Sequence, residues 1–479
     1  MKVLIIGIDG LDSILLEKWE DVLPNFKRLK DGGNPIKICP TFPIDSPSVW
    51  ASIYTGLTPA NHGILSVDDY DVSLLRGRTF WDIASRHGKK VCIINPFLAY
   101  PAWQVNGVMV SGPPFYTKSG ASAYPDSILE KYTIPHMGGV LERYPVKNEL
   151  RAFYERMRKI TLNEADFGLK ILKDYNWDLG FICFITLDGI EHFFWRYFDE
   201  NDSTFPGNNP YEDAVKNFYQ LYDEIVGEYT KLIDYDFLIV LSDHGHGMRN
   251  IKLANINEAL RKAGYLKSNT KNSFSYLMSI IKLRLLDFIY KHNLDDIALK
   301  ITRIAPRISK NVQKSSFSID FENSLAYLSD LHGMNPNGGI EINLKREAEY
   351  EQLRTEIIKE IYELKDPNSG KKIVEWICRR EELYSGKYIS KFPDIVFELK
   401  NEYGVNWDVY TPLVTDCYAH KIISGGHKRH ATFIIKGVDQ EKIVRNNMTS
   451  VDIAPTVLDL LDIKGNFNFD GRSLFDYLI

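Results

Sequence analysis

The sequence predicts an α/β fold with a mostly parallel central sheet, helices on both faces, and an additional helical or irregular cap insertion. Short runs rich in Val, Ile and Leu alternate with longer segments of helical periodicity. Three of these runs, Lys2–Ile8, Leu179–Ile185 and Phe237–Leu241, are each followed within three residues by an acidic side chain. In open α/β sheets, sites lie just beyond the carboxyl ends of the strands, so these acidic residues are expected to emerge at such a site.

Length and composition bound the class of protein. The 479 residues are 44% hydrophobic and 25% charged, which argues against a wholly disordered or fibrous chain. A net charge of −5 argues against a nucleic-acid polymer as partner. The five cysteines show no Cys-x-x-Cys spacing, which indicates a reducing compartment and no sulfur-ligated zinc. With no signal-peptide pattern and no long apolar run, the sequence predicts a cytoplasmic protein.

The first strand ends at Asp9, and a loop rich in Pro and hydroxyl side chains follows at residues 40–50. Ser46 followed by Pro47 fits a helix N-cap with proline at the first helical position. A hydroxyl there faces the positive end of the helix dipole, which stabilises a phosphate or an alkoxide. A purely structural cap is the alternative.

The middle of the chain continues the α/β alternation. Residues 113–146 are dense in Tyr, Pro and Gly and are predicted to be an irregular excursion over the sheet. A long helix over Leu150–Leu172 leads into the strand before Asp188 and His192. Because these two residues are four apart on a helical turn, their side chains lie on the same face of the helix. They could there bind one metal ion together, or form an ion pair with each other.

The strand Phe237–Leu241 runs directly into Ser242-Asp-His-Gly-His-Gly247. Asp243 and His244 are therefore candidate metal ligands, with a structural Asp-His-Gly turn as the alternative. Nearer the end of the chain, His427 lies in a glycine-flanked loop that leaves it free to reach inward, and a helix over Ser450–Leu461 is predicted to be capped by Ser450.

Residues 255–317 differ in composition from the rest of the chain. Within them, 276–314 pairs an apolar helical face with many Lys and Arg side chains. This basic insertion is expected to contact an anionic substrate or an acidic membrane surface, or else to be a solvated cap. The α/β pattern then resumes, which predicts a catalytic core of residues 1–254 and 318–479.

Seven loop or helix-start residues form the candidate site: Asp9, Ser46, Asp188, His192, Asp243, His244 and His427. Three acids, three histidines and a hydroxyl can build two adjacent metal sites. Imidazole and carboxylate ligands without thiolate suit Zn²⁺, or Mn²⁺, better than Ca²⁺. Two such ions stabilise the attacking and leaving oxygens of an in-line displacement at phosphorus or sulfur. The hydroxyl then becomes a candidate nucleophile.

These motifs resemble the alkaline phosphatase superfamily, and more closely its type I phosphodiesterase and nucleotide pyrophosphatase family, in particular the prokaryotic soluble members. The matching stretches are Ile6–Gly10, Ser46–Ile64, Asp188-x-x-x-His192, Ser242–Gly247, Gly425–His427 and Asp452–Thr456. The resemblance implies an alkaline-phosphatase-like fold and hydrolysis of a small-molecule phosphodiester or pyrophosphate through a phosphoserine intermediate.

The resemblance also implies residue roles. Asp9, Ser46, Asp243 and His244 match the ligands of the ion that activates the nucleophile. Asp188, His192 and His427 match those of the ion that stabilises the leaving group. Ser46 is preferred over Thr41 and Ser48 as nucleophile because it lies ten residues before Gly56, the family spacing. His62 and His246 are expected to be structural or supporting residues, and His430 is a weaker candidate than His427.

Two departures bear on the substrate. Val49 stands where nucleotide pyrophosphatases of the animal type carry Asn, which leaves nucleotide preference open. Ser46-Pro-Ser-Val-Trp50 also lacks the Arg of the sulfatase motif. A phosphomonoesterase, phosphonate hydrolase or phosphotransferase of the same superfamily is the alternative. A sulfatase or a non-catalytic, membrane-peripheral binding protein is less favoured.

Overall fold

The structure is a computed structural model that describes residues 1–117, 120–268, 319–329, 331, 335–344, 347–443, 445 and 447–475, with five isolated positions between 281 and 289. Two compact units are formed, one by Met1–Gly247 with His427–Ile479 and the other by Met248–Gly426. The predicted insertion at 255–317 is described only at 255–268 and at the five positions between 281 and 289, so most of it, including nearly all of its basic stretch 276–314, lies outside the described residues. Its boundaries, and those of the predicted core, stay predictions.

The elements of the described part are short strands and amphipathic helices. The strands are β1 Val3–Ile8, β2 Asn34–Pro35, β3 Lys37–Cys39, β4 Val91–Ile94, β5 Gly107–Ser111, β6 Ser122–Tyr124, β7 Leu179–Phe184, β8 Phe237–Leu241, β9 Gly245–Met248, β10 Lys252–Asn255, β11 Ala326–Ser329, β12 Asn337–Ile342, β13 Val374–Arg379, β14 Ile395–Leu399, β15 Tyr403–Asn406, β16 Val414–Asp416, β17 Gly425–Lys428, β18 Phe433–Lys436 and β19 Asn447–Thr449. The helices are α1 Ser13–Lys18, α2 Pro24–Asp31, α3 Ser46–Thr55, α4 Pro59–His62, α5 Phe80–Arg86, α6 Ser127–Lys131, α7 Leu150–Asp174, α8 Thr186–Phe198, α9 Ala214–Leu232, α10 Ile256–Lys262, α11 Glu347–Tyr362, α12 Arg380–Leu383 and α13 Ile453–Leu460.

The first unit is built on an eight-stranded sheet with the order β2-β18-β8-β1-β7-β4-β5-β6. The five strands from β8 to β5 are parallel to one another. The two ends of the sheet are antiparallel, with β18 against β8 and β6 against β5. The three strands whose ends carry acidic residues, β8, β1 and β7, are neighbours at its centre.

Helices cover both faces of this sheet, as adjacent residues of β7 show. A Cβ added to Gly180 would lie 2.9 Å from Leu172 of α7. The ring of Phe181 instead lies 5.8 Å from that of Tyr54 in α3 and 6.0 Å from that of Trp81 in α5. Successive strand residues point to opposite faces, so α7 and the α3–α5 pair lie on opposite sides. The predicted fold class is confirmed.

Two local predictions need correction. Part of the stretch 113–146, predicted to be irregular, forms β6, which extends the sheet beyond β5, and the short helix α6. The predicted cap Ser450 is already the first residue of a 3₁₀ turn before α13. Thr449, with an extended backbone, is the cap, and its N–H donates to Asp452 Oδ2 at 2.8 Å.

The second unit has its own core. It contains the antiparallel sheet β11-β12-β14-β13 and a smaller sheet β15-β10-β16. Strand residues such as Ile340, Ile395 and Phe397 are fully buried there, together with Ile357 and Ile361 of α11. Across the described parts of both units, no helix is long and apolar enough to pass through a lipid bilayer.

Candidate metal centre

Three adjacent strands deliver acidic residues to one edge of the sheet. In the parallel register, Ile8 lies beside Phe184 and Gly7 lies beside Leu241. The chain therefore emerges from β1, β7 and β8 at nearly the same level. Asp9 follows β1 directly, Asp243 follows β8 after one residue, and Asp188 lies in the first turn of α8 after β7. Parallel pairing is what brings these distant parts of the chain together.

Ser46 reaches this edge from α3. Its hydroxyl donates to Asp9 Oδ1 at 3.3 Å and lies 3.1 Å from His244 Nε2. The helix begins at Ser46 and its N-cap is Asp45, so the prediction of Ser46 as N-cap is wrong by one residue. The reason is that Asp45 has extended backbone angles, whereas Ser46 already has helical geometry and turns its hydroxyl to Asp9 and His244.

The first cluster consists of Asp9, Asp243 and His244, whose potential ligand atoms all lie within 4.8 Å of one another. His244 Nε2 is 3.3 Å from Asp243 Oδ2 and 3.6 Å from Asp9 Oδ1. Trp50 Nε1 donates to Asp9 Oδ2 at 2.9 Å, and the Gly10 amide donates to Asp243 Oδ1 at 3.3 Å. All three side chains of the cluster are buried, so these bonds fix the carboxylates in one orientation.

The second cluster consists of Asp188, His192 and His427 and is partly exposed. Asp188 Oδ1 lies 3.2 Å from His192 Nε2 and 3.4 Å from His427 Nε2. The two histidine Nε2 atoms are 3.1 Å apart. His427 Nδ1 lies 3.1 Å from the carbonyl oxygen of Ile44 and 3.7 Å from Asp45 Oδ1, which orients its Nε2 toward Asp188.

Several buried acidic groups lie close together at this end of the sheet, and their pKa values are shifted. Burial, with the nearby Asp243 adding to it, raises the pKa of Asp9 well above its usual range. Burial likewise raises the pKa of Asp243 to about 7. Burial, followed by the charge of His427, lowers the pKa of His244, so this imidazole is neutral and offers a lone pair.

The partly exposed cluster behaves as an ion pair. Burial opposes the ionisation of Asp188, but His192 and then His427 outweigh it and hold the pKa of Asp188 well below its usual range. Burial also opposes protonation of His427, yet Asp188 and Asp45 raise its pKa to about 9. A cation between these groups would replace a proton as the positive charge that the carboxylate needs.

The residues present fit a divalent metal ion. Asp188 Oδ1 and Asp243 Oδ2 are buried and accept no directed hydrogen bond. Buried carboxylate oxygens without partners are costly unless a cation or water meets them. Together with the neutral imidazole of His244, they form an oxygen and nitrogen donor set that suits Zn²⁺. The seven residues that the sequence selected thus lie together, and their role as ligands stays a prediction.

Of the three remaining candidate histidines, only His246 belongs to a metal-competent group within the described part of the chain. Both ring nitrogens of His62 are hydrogen-bonded, to Ser52 Oγ at 3.0 Å and to the Ile64 amide at 3.1 Å. His430 belongs to none of the metal-competent groups among the described residues. His246, by contrast, has ligand atoms within 4.8 Å of Asp188 and His244.

Neither of the alternative nucleophiles, Thr41 and Ser48, forms a hydrogen bond with the carboxylates of the site. Thr41 Oγ1 donates to Ser52 Oγ at 3.0 Å. Ser48 is fully buried, and its hydroxyl has no hydrogen-bond partner in the structure. The neighbouring Val49 is also fully buried in α3.

Three further residues support the centre and were not selected from the sequence. Trp50 binds Asp9, Asp45 faces His427, and Glu191 lies 3.4 Å from His246 Nδ1. Two of them could have been suggested by helical spacing. Trp50 is four residues after Ser46 in α3, and Glu191 is three residues after Asp188 in α8, so each lies on the same helix face as a predicted site residue.

Comparison with known proteins gives consistent results. A family model described as type I phosphodiesterase/nucleotide pyrophosphatase matches residues 3–406. Ectonucleotide pyrophosphatase/phosphodiesterase family member 1 of Rattus norvegicus is 27% identical over 254 residues. That alignment covers 50% of this chain but only 24% of the rat protein, so the chain matches about a quarter of its curated relative.

Solved structures share the fold at low sequence identity. Phosphonoacetate hydrolase from Sinorhizobium meliloti 1021, in complex with phosphonoacetate, superposes with a TM-score of 0.58 at 14% identity, covering 95% of this chain and 94% of that one. Murine ectonucleotide pyrophosphatase/phosphodiesterase 5, in an inactive form in complex with AMP, gives a TM-score of 0.50 at 14% identity, covering 97% and 96%.

Proposed function

Because this chain belongs to the type I phosphodiesterase/nucleotide pyrophosphatase family, we propose that it is a metal-dependent hydrolase that cleaves a phosphodiester or pyrophosphate bond in a small molecule. The observation that carries this proposal is the position of Ser46, whose hydroxyl lies 3.3 Å from Asp9 and 3.1 Å from His244. A nucleophile within hydrogen-bond reach of basic groups, at the amino end of a helix, is the arrangement that phosphoryl transfer needs.

We assign two divalent ions to the two clusters, with Zn²⁺ favoured and Mn²⁺ as the alternative. Asp9, Ser46, Asp243 and His244 would hold one ion, and Asp188, His192 and His427 the other. Bound there, such ions would supply Lewis-acid stabilisation of phosphoryl oxygens and make the serine hydroxyl more acidic. The mixed imidazole and carboxylate donors, and the buried oxygens of Asp188 and Asp243 without hydrogen bonds, support this assignment.

The chain's own residues divide the reaction into two displacements. In the first, Ser46 Oγ forms a bond to phosphorus while the bond to the leaving oxygen breaks, and the serine proton is released to water. In the second, a water oxygen attacks the same phosphorus and Ser46 Oγ leaves, regaining a proton. The second cluster, Asp188, His192 and His427, is partly exposed. Its side of the site is therefore where a leaving group can depart and water can enter. The sum is hydrolysis of one ester bond.

The substrate class is tested with a panel of chromogenic esters. Metal-free protein would be loaded with Zn²⁺ or Mn²⁺ and assayed on bis-p-nitrophenyl phosphate, p-nitrophenyl phosphate, p-nitrophenyl phenylphosphonate and p-nitrophenyl sulfate. We expect the diester to be cleaved fastest and only by the loaded protein. If a monoester or phosphonate is cleaved faster, the chain is a different hydrolase of the superfamily. If the loaded protein is inactive on all four esters, the proposed function is wrong.

A further inference from the structure

His246 has hydrogen-bonding atoms that nothing in the described structure satisfies. Its side chain is buried, and neither Nδ1 nor Nε2 has a hydrogen-bond partner. Buried polar groups nearly always have a partner, and an exception calls for a water molecule or an ion. A ring with two unsatisfied nitrogens in a buried position is therefore a candidate ligand.

Two acidic oxygens lie near His246, but neither forms a directed hydrogen bond with it. His246 Nδ1 lies 3.6 Å from Asp188 Oδ1 and 3.4 Å from Glu191 Oε2, and neither oxygen accepts a directed hydrogen bond. The other oxygen of Glu191 accepts from the Tyr219 hydroxyl at 2.9 Å, and that hydroxyl accepts from the Asp12 amide at 3.0 Å. Glu191 is thus held in place beside His246.

The backbone and the ring of His246 are also fixed. The His246 amide donates to Asp12 Oδ2 at 3.0 Å, and the ring stacks on Trp195 at 5.9 Å between centroids. Gly245 before it is required, because a Cβ there would lie 2.3 Å from Asp12 Oδ2. His246 is therefore held where its Nδ1 faces the two acidic side chains.

His246 forms a metal-competent group with Asp188 and His244, whose ligand atoms lie within 4.8 Å of one another. Asp188 belongs to one of the two predicted sites and His244 to the other. An ion at this position would meet His246 Nδ1, which has no hydrogen bond to give up. It would share Asp188 Oδ1 with His192 and His427, and it would replace the contact of His244 Nε2 with Ser46. Filling either predicted site instead would leave both ring nitrogens of His246 without a partner.

We propose that Asp188, His244 and His246 form a third cation position, which a single ion fills before a second ion arrives. Two imidazoles and one carboxylate suit Zn²⁺ or Co²⁺. Since an ion there takes one ligand from each predicted site, full occupancy of both sites requires it to leave. This inference rests on the proposed metal dependence and adds a loading step and a ligand, His246, to it.

The test is a titration of metal-free protein with Co²⁺, followed by visible and near-ultraviolet absorption. Wild type is compared with His246→Gln, with His246→Cys, and with the matched control His430→Gln. We expect His246→Gln to bind the first equivalent at least about ten-fold more weakly than wild type, while His430→Gln binds like wild type. We expect His246→Cys to develop a thiolate-to-cobalt charge-transfer band at one equivalent, which a side chain remote from the ion cannot produce.

The outcomes separate this inference from the proposed function. If wild type binds no Co²⁺, the proposed metal dependence and this inference both fail. If wild type binds Co²⁺ but His246→Cys shows no charge-transfer band, only this inference fails, even if His246→Gln binds more weakly. Circular dichroism of the metal-free variants checks folding, and the His246→Cys band decides the question if His246→Gln does not fold.

Discussion

Nε2 of His244 lies 3.1 Å from Oγ of Ser46, although the two residues are 198 positions apart in the chain. His244 arrives from the end of β8, and Ser46 is the first residue of α3. Burial, followed by the charge of His427, lowers the pKa of His244, so its ring is neutral and its Nε2 presents a lone pair beside the Ser46 hydroxyl. This contact makes Ser46 the hydroxyl of α3 best placed to act as a nucleophile.

Ser46→Ala is expected to abolish turnover, with kcat for bis-p-nitrophenyl phosphate falling by at least about 10³-fold, because the attacking atom is removed. Ser46→Thr keeps a hydroxyl and is expected to retain measurable activity. Acid quenching of wild type during turnover, followed by peptide mass spectrometry, should find a p-nitrophenyl phosphoryl group on the peptide that contains Ser46, because one of the two esters stays on phosphorus.

Ser48→Ala is the matched control for this variant. Ser48 lies on the same helix, two residues further on, and its buried hydroxyl makes no hydrogen bond. Its removal should leave kcat within about two-fold of wild type, since no interaction is lost. Equal loss of activity in the Ser46 and Ser48 variants would show a general disturbance of α3 and remove Ser46 from its proposed role.

His427→Ala is expected to lower the metal content of the protein by about half, because the second cluster loses one of its three ligands. The measurement is the zinc-to-protein ratio by inductively coupled plasma mass spectrometry after dialysis against buffered zinc. His430→Ala, three residues further along, is the control and should keep the wild-type ratio. A full two-ion complement in His427→Ala would exclude His427 from the site.

The sequence predicted the parts of the centre that depend on strand ends and helical spacing. Asp9 and Asp243 follow apolar strands, and Asp188 and His192 share one face of α8, so local patterns were sufficient. Those patterns carry no information on which loops meet. The support that Asp45 gives to His427 joins positions 45 and 427, and the contact of Glu191 with His246 depends on packing between α8 and the segment after β8.

Helix starts were predicted only to within one residue. Asp45, not Ser46, caps α3, and Thr449, not Ser450, caps the turn before α13. In both places two adjacent residues are good capping types, and the choice between them depends on backbone angles that composition does not determine. The cap at 449 also depends on Asp452 returning a hydrogen bond to the Thr449 amide.

Val49→Asn tests whether this position governs nucleotide preference. Val49 has no exposed surface, so an amide there would meet the protein interior rather than a substrate. We expect the variant to be less stable by about 1–3 kcal/mol, the cost of burying an unsatisfied polar group. We also expect no change in its preference for the p-nitrophenyl ester of thymidine monophosphate over bis-p-nitrophenyl phosphate. A ten-fold rise in that preference would contradict the burial argument, and Val49→Thr controls for polarity at constant shape.

Glu164→Gln is expected to stabilise the protein at alkaline pH. Glu164 is buried in α7, where Asn95 Nδ2 donates to its Oε1 at 3.2 Å and its Oε2 has no partner. Burial raises the pKa of Glu164 well above its usual range, so its contribution to stability is fully present below the unfolded pKa, near 4.3, and is lost as pH rises through the folded pKa. The amide of Gln accepts the same hydrogen bond without ionising.

Melting temperatures of the metal-free protein, measured with chelator present, should therefore be higher in Glu164→Gln than in wild type at pH 8, by about 2–4 °C for each kcal/mol gained. This difference in melting temperature should shrink as the pH falls toward 4.5. Glu155→Gln, at an exposed position of the same helix, should show no such trend. A pH-independent difference between Glu164→Gln and wild type would mean that Glu164 is ionised in the folded protein.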